Sequence, residues 1–225
     1  VNLGEKIAKS KENHDRRPQD FYATPAEVTQ ALLEYFAFPK RMKIREPCCG
    51  TGEMAVVLEH YGHEVHASDI EDRGYGVAGV DYIAESELDE EHYDFDAVIT
   101  NPPFSNAEAI IRRALRDAPI VAMLLPSGYW HSARRAKLFE ARRPHAILNL
   151  LWRPVFAEER GASPLMNVQW TVWMDNAEDS CRLTMFDVLH RPAATVPMTT
   201  PLQRLEKALA ANATFRHGDG LDELF

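Results

Sequence analysis

Four consecutive residues, Asn101, Pro102, Pro103 and Phe104, combine an amide, two imino acids and an aromatic ring directly after the short apolar run Ala97-Val98-Ile99. Each proline fixes φ and removes a backbone donor, and each restricts the residue before it to extended geometry. The resulting loop is stiff. It can hold the Asn101 carboxamide and the Pro102 carbonyl as two acceptors aimed at one point. An exocyclic amine offers two N–H donors to such a pair, and binding both turns the nitrogen lone pair outward, toward an approaching electrophile. Phe104 supplies a face on which a planar base can stack. Chemistry of this kind rests on orientation and partial charge stabilisation and needs no strong general base.

A second group of residues lies upstream, in "EPCCGTGEM" from Glu46 to Met54. Pro47 to Gly52 reads as a tight turn between a strand and a helix, the place where α/β folds bind nucleotide-like ligands. Gly50 and Gly52 allow close backbone approach. The dinucleotide pattern G-x-G-x-x-G is incomplete because Ala55 stands in the third place, and no Lys-Ser/Thr pair follows, so the turn is not a P-loop. Asp69 follows the next strand and is positioned to accept hydrogen bonds from ribose hydroxyls. Glu46 adds a carboxylate beside the turn. Two acids without a phosphate-binding base suit a cationic, phosphate-free adenosine ligand, and S-adenosylmethionine answers that description.

The elements that must position these groups follow a regular rhythm. "TPAEVTQALLEYFAF" is expected to form a helix with Thr24 as N-cap, Pro25 at the first helical position and Glu27 completing a capping box. Strands are expected over 42–44, 64–67 and 95–100, in "PIVAMLLPSGYW", in "HAILNLLWRPVF" and in "NVQWTVWMD". Helices are expected over 53–61, in "NAEAIIRRALRDA" and in "SARRAKLFEARR". This alternation predicts an α/β fold with a doubly wound, mostly parallel, Rossmann-like sheet whose final strand is antiparallel. The domain organisation expected is a polar N-terminal segment (1–20), a catalytic domain (21–175) and a C-terminal extension (176–225) with a helix in "PLQRLEKALAANA".

N-P-P-F after a strand, downstream of E-P-C-C-G-T-G, resembles the class I S-adenosylmethionine-dependent amino-methyltransferases, specifically the N6-adenine DNA methyltransferases, over roughly residues 20–175. The resemblance implies a class I methyltransferase fold and methyl transfer to the N6 amine of adenine in DNA. It places Tyr22, Thr24 and Pro25 over the methionine part of the cofactor. It assigns the glycine motif to Glu46, Pro47, Cys48, Gly50, Thr51 and Gly52, the ribose-binding acid and its apolar neighbour to Asp69 and Ile70, and contact with the cofactor adenine to Asp81 and Tyr82. Asn101, Pro102, Pro103 and Phe104 become the catalytic motif, with Asn101 also facing the cofactor. The Cys48-Cys49 pair departs from the small residues of many relatives and reads as packing. Many relatives carry a large C-terminal recognition domain, and only about 50 residues follow the last strand expected here. Recognition therefore falls to loops, to basic clusters, or to a partner or second copy. Arg134, Arg135 and Lys137, with Trp152, Arg153 and Phe156 ahead of the 157–165 loop, are the expected nucleic-acid contacts. A second basic cluster is Lys6, Lys9, Lys11, Arg16 and Arg17.

Other readings remain open. Similar motifs occur in RNA adenine methyltransferases and in enzymes that methylate a protein glutamine amide, because all three substrates present a planar amine. A non-catalytic cofactor-binding subunit would ordinarily have lost part of N-P-P-F, and a nicotinamide oxidoreductase lacks a reason for it. The net charge of −9 argues against a protein whose whole surface grips nucleic acid, without excluding a basic face. Three cysteines, two of them adjacent, make no disulfide framework, and no Cys/His spacing predicts a metal site. No membrane-spanning run and no secretory leader is evident, so a cytoplasmic location is expected.

Overall fold

The computed structural model describes residues 22–84, 94–156, 166–175 and 183–198. The N-terminal basic cluster, the 157–165 loop, Cys181 and the helix expected over 201–213 lie outside the described residues.

In chain order the elements are α1 (Ala26–Phe36), β1 (Lys43–Glu46), α2 (Glu53–His60), β2 (Glu64–Asp69), β3 (Val77–Ala78), β4 (Ala97–Thr100), α3 (Ala107–Asp117), β5 (Ile120–Pro126), a 3-10 turn (Ala133–Arg135) running into α4 (Ala136–Ala141), β6 (Ala146–Leu150), β7 (Val168–Met174) and β8 (Met185–Leu189). The strands form one eight-stranded sheet in the order β3-β2-β1-β4-β5-β7-β6-β8. β1 and β4 are parallel neighbours, with Ile44 opposite Ala97. From β1 the chain winds one way, to β2 and β3, and from β4 it winds the other, to β5 and beyond. Their carboxyl ends therefore flank the reversal of strand order, where α/β sheets open a crevice. β7 runs antiparallel to both β5 and β6, as expected of the last strand foreseen from the sequence. One more strand, β8, pairs parallel with β6.

The continuous apolar runs of β4 and β5 match a sheet covered on both faces. One core layer gathers Leu32 and Val28 of α1, Val57 and Leu58 of α2 and Trp170 of β7. The other gathers Ile111 of α3, Leu138 of α4, and Val121, Met123 and Leu125 of β5. Trp170 is fully buried and donates its indole N–H to the Val28 carbonyl at 3.1 Å, which fastens α1 to the sheet. Trp173 likewise donates to the Arg142 carbonyl at 2.9 Å, and Trp130 to the Thr171 hydroxyl at 3.3 Å.

Some local expectations are corrected. The N-cap of α1 is Pro25, and no side chain caps the helix; the Thr24 hydroxyl is engaged elsewhere. The helix ends before Pro39, at Ala37 in left-handed geometry with its N–H on the Leu33 carbonyl. β2 extends two residues further than expected, so Asp69 is its last residue. Among the described residues no helix is long and apolar enough to cross a membrane, and no group of three His, Cys, Asp or Glu could hold a metal ion.

Candidate active site

The crevice between the ends of β1 and β4 is a cleft of about 320 Å³. Its floor is the glycine turn after β1. Cys49 N–H donates to the Ser68 carbonyl at 3.0 Å and Gly52 N–H to the Cys49 carbonyl at 2.8 Å, so the turn is tied to β2 and to itself. Gly50 and Gly52 both have positive φ, +56° and +89°. At Gly52 the constraint comes from the protein itself: a Cβ would lie 2.3 Å from the Tyr75 ring, which packs over the turn. Cys49 is part of the same clamp, with its Sγ 3.5 Å from the Tyr75 carbonyl. A Cβ on Gly76 would meet that sulfur at 2.9 Å. Cys49 thus packs against the loop after β2 and Cys48 against the core layer of α3 and β5, and both also border the cleft. Burial pushes both thiols up, Cys49 to about 12, with Asp69 and Glu46 adding to the rise, so both remain protonated.

Carboxylates dominate the lining. Glu46, Glu53, Asp69, Glu71 and Asp81 surround the cleft with Arg73 as the one cation among the described lining residues. Glu46 is buried, and its Oε2 has no hydrogen-bond partner. Desolvation is the main reason its carboxyl is held well above the ordinary range. Repulsion from Glu53 adds to this, and the Ala55 N–H relieves only part of it. Asp69 accepts the Gly50 N–H through Oδ2 at 2.9 Å and the Glu71 N–H through Oδ1 at 3.0 Å, so it braces the glycine turn as well as facing the cleft. Asp81 accepts the N–H groups of Ile83 and Ala84 through Oδ1, an Asx turn that aims its carboxyl. Ile70 stands 60% exposed at the mouth, an apolar platform beside Asp69. Tyr82 is buried, anchored by its hydroxyl on Asp117 at 2.7 Å and flanked by the Arg45 and Arg113 guanidinium groups. Burial and Asp117 raise its phenol far above the ordinary range, so it serves as a neutral wall.

Asn101 closes the opposite side. Its Nδ2 donates to the Tyr22 carbonyl at 3.2 Å and to the Thr24 hydroxyl at 3.0 Å. A carbonyl can only accept, so these partners fix which end of the amide carries the nitrogen. Oδ1 is left as an acceptor in the cleft. The Pro103 carbonyl is used by the Asn106 N–H, which shapes the turn into α3, while no hydrogen bond among the described residues is made to the Pro102 carbonyl. Phe104 lies face to face with Tyr22 (18° between planes, centroids 6.4 Å apart), and Phe156 packs edge-on to Tyr22 at 6.1 Å.

The structure thus brings Tyr22, Thr24, Glu46, Pro47, Cys48, Gly50, Asp69, Ile70, Asp81, Tyr82, Asn101 and Pro103 to one cleft. Pro25, Thr51, Gly52, Pro102 and Phe104 adjoin it without lining it. Thr51 turns outward and donates to the Glu53 carboxylate at 2.6 Å. Glu71 and Arg73 were not foreseen, because the loop after β2 has no periodicity to announce them. Of the expected nucleic-acid contacts, Arg134, Lys137 and Arg153 are exposed. Arg135 is already engaged, donating to the Tyr129 carbonyl and lying 3.9 Å over the Tyr129 ring. Phe156 is buried in the core and Trp152 half-buried against it, so neither is free to enclose a base by itself.

No family model matches the chain, and no curated protein matches its sequence. Solved structures do share its fold. The type I restriction-modification system methyltransferase subunit of Streptococcus thermophilus is 14% identical with a TM-score of 0.57, matching 86% of this chain and 53% of its own. The modification subunit of a "putative type I restriction enzyme" from Vibrio vulnificus is 14% identical with a TM-score of 0.55, matching 97% and 57%. The "putative RNA methyltransferase" of Pyrococcus horikoshii is 14% identical with a TM-score of 0.54, matching 77% and 98%. The chain spans little more than half the length of the two restriction-system subunits and nearly all of the third. It has the Rossmann-like fold of these methyltransferase structures.

Proposed function

We propose that this chain transfers a methyl group from S-adenosylmethionine to the exocyclic N6 amine of adenine in DNA. The observation that carries the reading is Asn101, whose amide nitrogen is held by Tyr22 and Thr24 so that Oδ1 faces the carboxylate-lined cleft as an acceptor. A cleft with five carboxylates and one guanidinium repels a dinucleotide and favours a cation. The unpartnered Glu46 Oε2 is a waiting acceptor for an ammonium, and its proton is released when a positive charge settles beside it. Asp69 and Ile70 suit a ribose and the face of a purine, and Asp81 suits the purine amine.

When bound, S-adenosylmethionine supplies an electrophilic methyl on a sulfonium, and the N–C bond forms as the S–C bond breaks. The chain's own residues orient the nucleophile. Asn101 Oδ1 and the Pro102 carbonyl accept the two amine hydrogens, which directs the lone pair at the methyl and stabilises the charge that develops on nitrogen. Solvent takes the proton that is lost. Phe104 and Tyr22 offer aromatic faces for a base taken out of its stack. Arg134, on the turn before α4, and Lys137, in its first turn, are both exposed and would meet phosphates. A partner or second copy would add to target choice.

RNA is the second reading, favoured by one observation: the match covers 98% of the Pyrococcus horikoshii structure described as a "putative RNA methyltransferase" and 77% of this chain. Transfer of labelled methyl to DNA, RNA and bulk protein, followed by nucleoside mass spectrometry, decides between them. N6-methyladenine in DNA is the expected product. Label confined to RNA or protein overturns the substrate, and binding without transfer to any of them overturns the enzyme reading.

A further inference from the structure

A second cavity, of about 730 Å³, lies under the 3-10 turn and α4, on the face of the sheet opposite α1. We propose that it receives a second nucleobase of the substrate strand, beside the adenine to be methylated, and reads its edge through Gln169. This rests on the methyl-transfer reading above and names how that site selects its target.

Gln169 is the central observation. Along β7 its neighbours Val168 and Trp170 face the α1 core, so its side chain projects to the other face, into the cavity. The residue as a whole is only 4% exposed, and its amide opens onto the cavity with no protein hydrogen bond among the described residues. Its donors and acceptor are therefore available to a ligand that enters the cavity. Asn149 of β6 stands directly opposite Gln169 in the ladder and lines the same cavity, which places two carboxamides side by side. Each offers one acceptor and two donors. A ligand that matches them presents donors and acceptors along one edge, as a base does; Gln and Asn pair most readily with the N6/N7 edge of adenine.

The walls supply stacking surfaces. Trp130 and Phe139 meet edge-on, with centroids 5.1 Å apart, and Phe186 of β8 is 69% exposed where it borders the cavity. The charge balance does not favour a phosphate: Arg135 is occupied by Tyr129, Glu140 brings a carboxylate to the rim, and His131 is the other titratable group among the described lining residues. A neutral planar group fits better there than an anion. The position is also suitable. Ser127 and Gln169 lie at the carboxyl edge of β5, the edge that carries Asn101 at the end of the adjacent β4. At about 4.8 Å per strand, β6 and β7 stand on the order of 10–15 Å from Asn101, within reach of a nucleotide next to the target.

The test compares the wild-type protein with Gln169→Leu. Methyl transfer is measured on oligonucleotides randomised around one adenine. In parallel, the indole N–H resonance of Trp130, assigned with Trp130→Phe, is followed as adenosine is added to protein saturated with S-adenosylhomocysteine. The wild type is expected to prefer one flanking base by about 5- to 150-fold in kcat/KM. Q169L is expected to lose that preference while keeping the rate on disfavoured sequences, and the Trp130 resonance should shift in the wild type but not in Q169L. Because leucine removes an unpaired amide, its Tm should not fall; a falling Tm with the preference intact marks Gln169 as structural and overturns the inference. A preference that survives Q169L, or a Trp130 resonance that does not move, also overturns it. If the wild type methylates no nucleic acid, the proposed function fails, and the indole titration alone then decides for or against the cavity.

Discussion

Replacing Thr24 with valine tests whether Asn101 acts through its held geometry. The Thr24 hydroxyl accepts one of the two Nδ2 hydrogens at 3.0 Å, and the residue is buried. Valine keeps the shape and removes the acceptor. The remaining bond, to the Tyr22 carbonyl, is the longer one at 3.2 Å and leaves the amide free to rock about it. Losing a neutral hydrogen bond and stranding a part-buried donor costs about 1–2 kcal/mol. If that free energy is lost from the oriented state that leads to transfer, kcat falls about 5- to 30-fold. Thr24 makes no side-chain cap on α1, so the helix itself should not weaken. The assay is steady-state methyl transfer with kcat and KM resolved separately for the cofactor and the nucleic acid, alongside thermal unfolding. The expected result is a kcat effect with both KM values near wild type, and recovery in Thr24→Ser, which restores the oxygen. A T24V protein with the wild-type kcat would refute the positioning of Asn101, and an equal loss in T24S would assign the effect to packing.

Three further outcomes follow from the same geometry. Glu46 has a carboxyl raised by burial, so the folded state keeps a proton that the unfolded state has released above about 4.5. Stability therefore falls by up to about 1.4 kcal/mol per pH unit from there up to the raised pKa. Glu46→Gln should remove that slope, unfold at higher denaturant than wild type near neutral pH, and weaken the binding of a cationic cofactor; parallel stability curves between pH 5 and 8 would contradict this. Gly52→Ala should destabilise by at least about 1–2 kcal/mol from left-handed geometry alone, and adding Tyr75→Ala should recover only the clash with the ring, as read from urea denaturation. Phe104→Ala should raise KM for nucleic acid about 5- to 150-fold, the equivalent of about 1–3 kcal/mol of stacking, with cofactor affinity unchanged by calorimetry; a loss confined to cofactor binding would move Phe104 to the other ligand.

The sequence by itself determined what is local. Alternating apolar runs and amphipathic helices specified a parallel sheet, because strand and helix periodicities are properties of neighbours in the chain. The glycine turn, the proline-stiffened loop after β4 and the acid at the end of β2 were legible for the same reason: each is a short segment with its own conformational rule. What joins them was not legible. Asn101 is held from 79 and 77 residues away, by a backbone carbonyl that carries no side-chain signature and by a threonine that the local pattern assigned to a helix cap. Gly52 answers to Tyr75, and Asp69 braces the turn it was expected only to face. Glu46 becomes a buried acid with one unpartnered oxygen only when β1 is covered by the packed fold, where α2 supplies the Ala55 N–H and no described residue meets Oε2. The carboxamide pair of Asn149 and Gln169 exists because β7 inserts antiparallel between β5 and β6, and β8 completes that side of the sheet although its residues, mostly exposed, show no clean alternation. Strand order is decided by which faces bury together across the whole chain, and the partners it creates are chosen by that burial rather than by any segment's own preference.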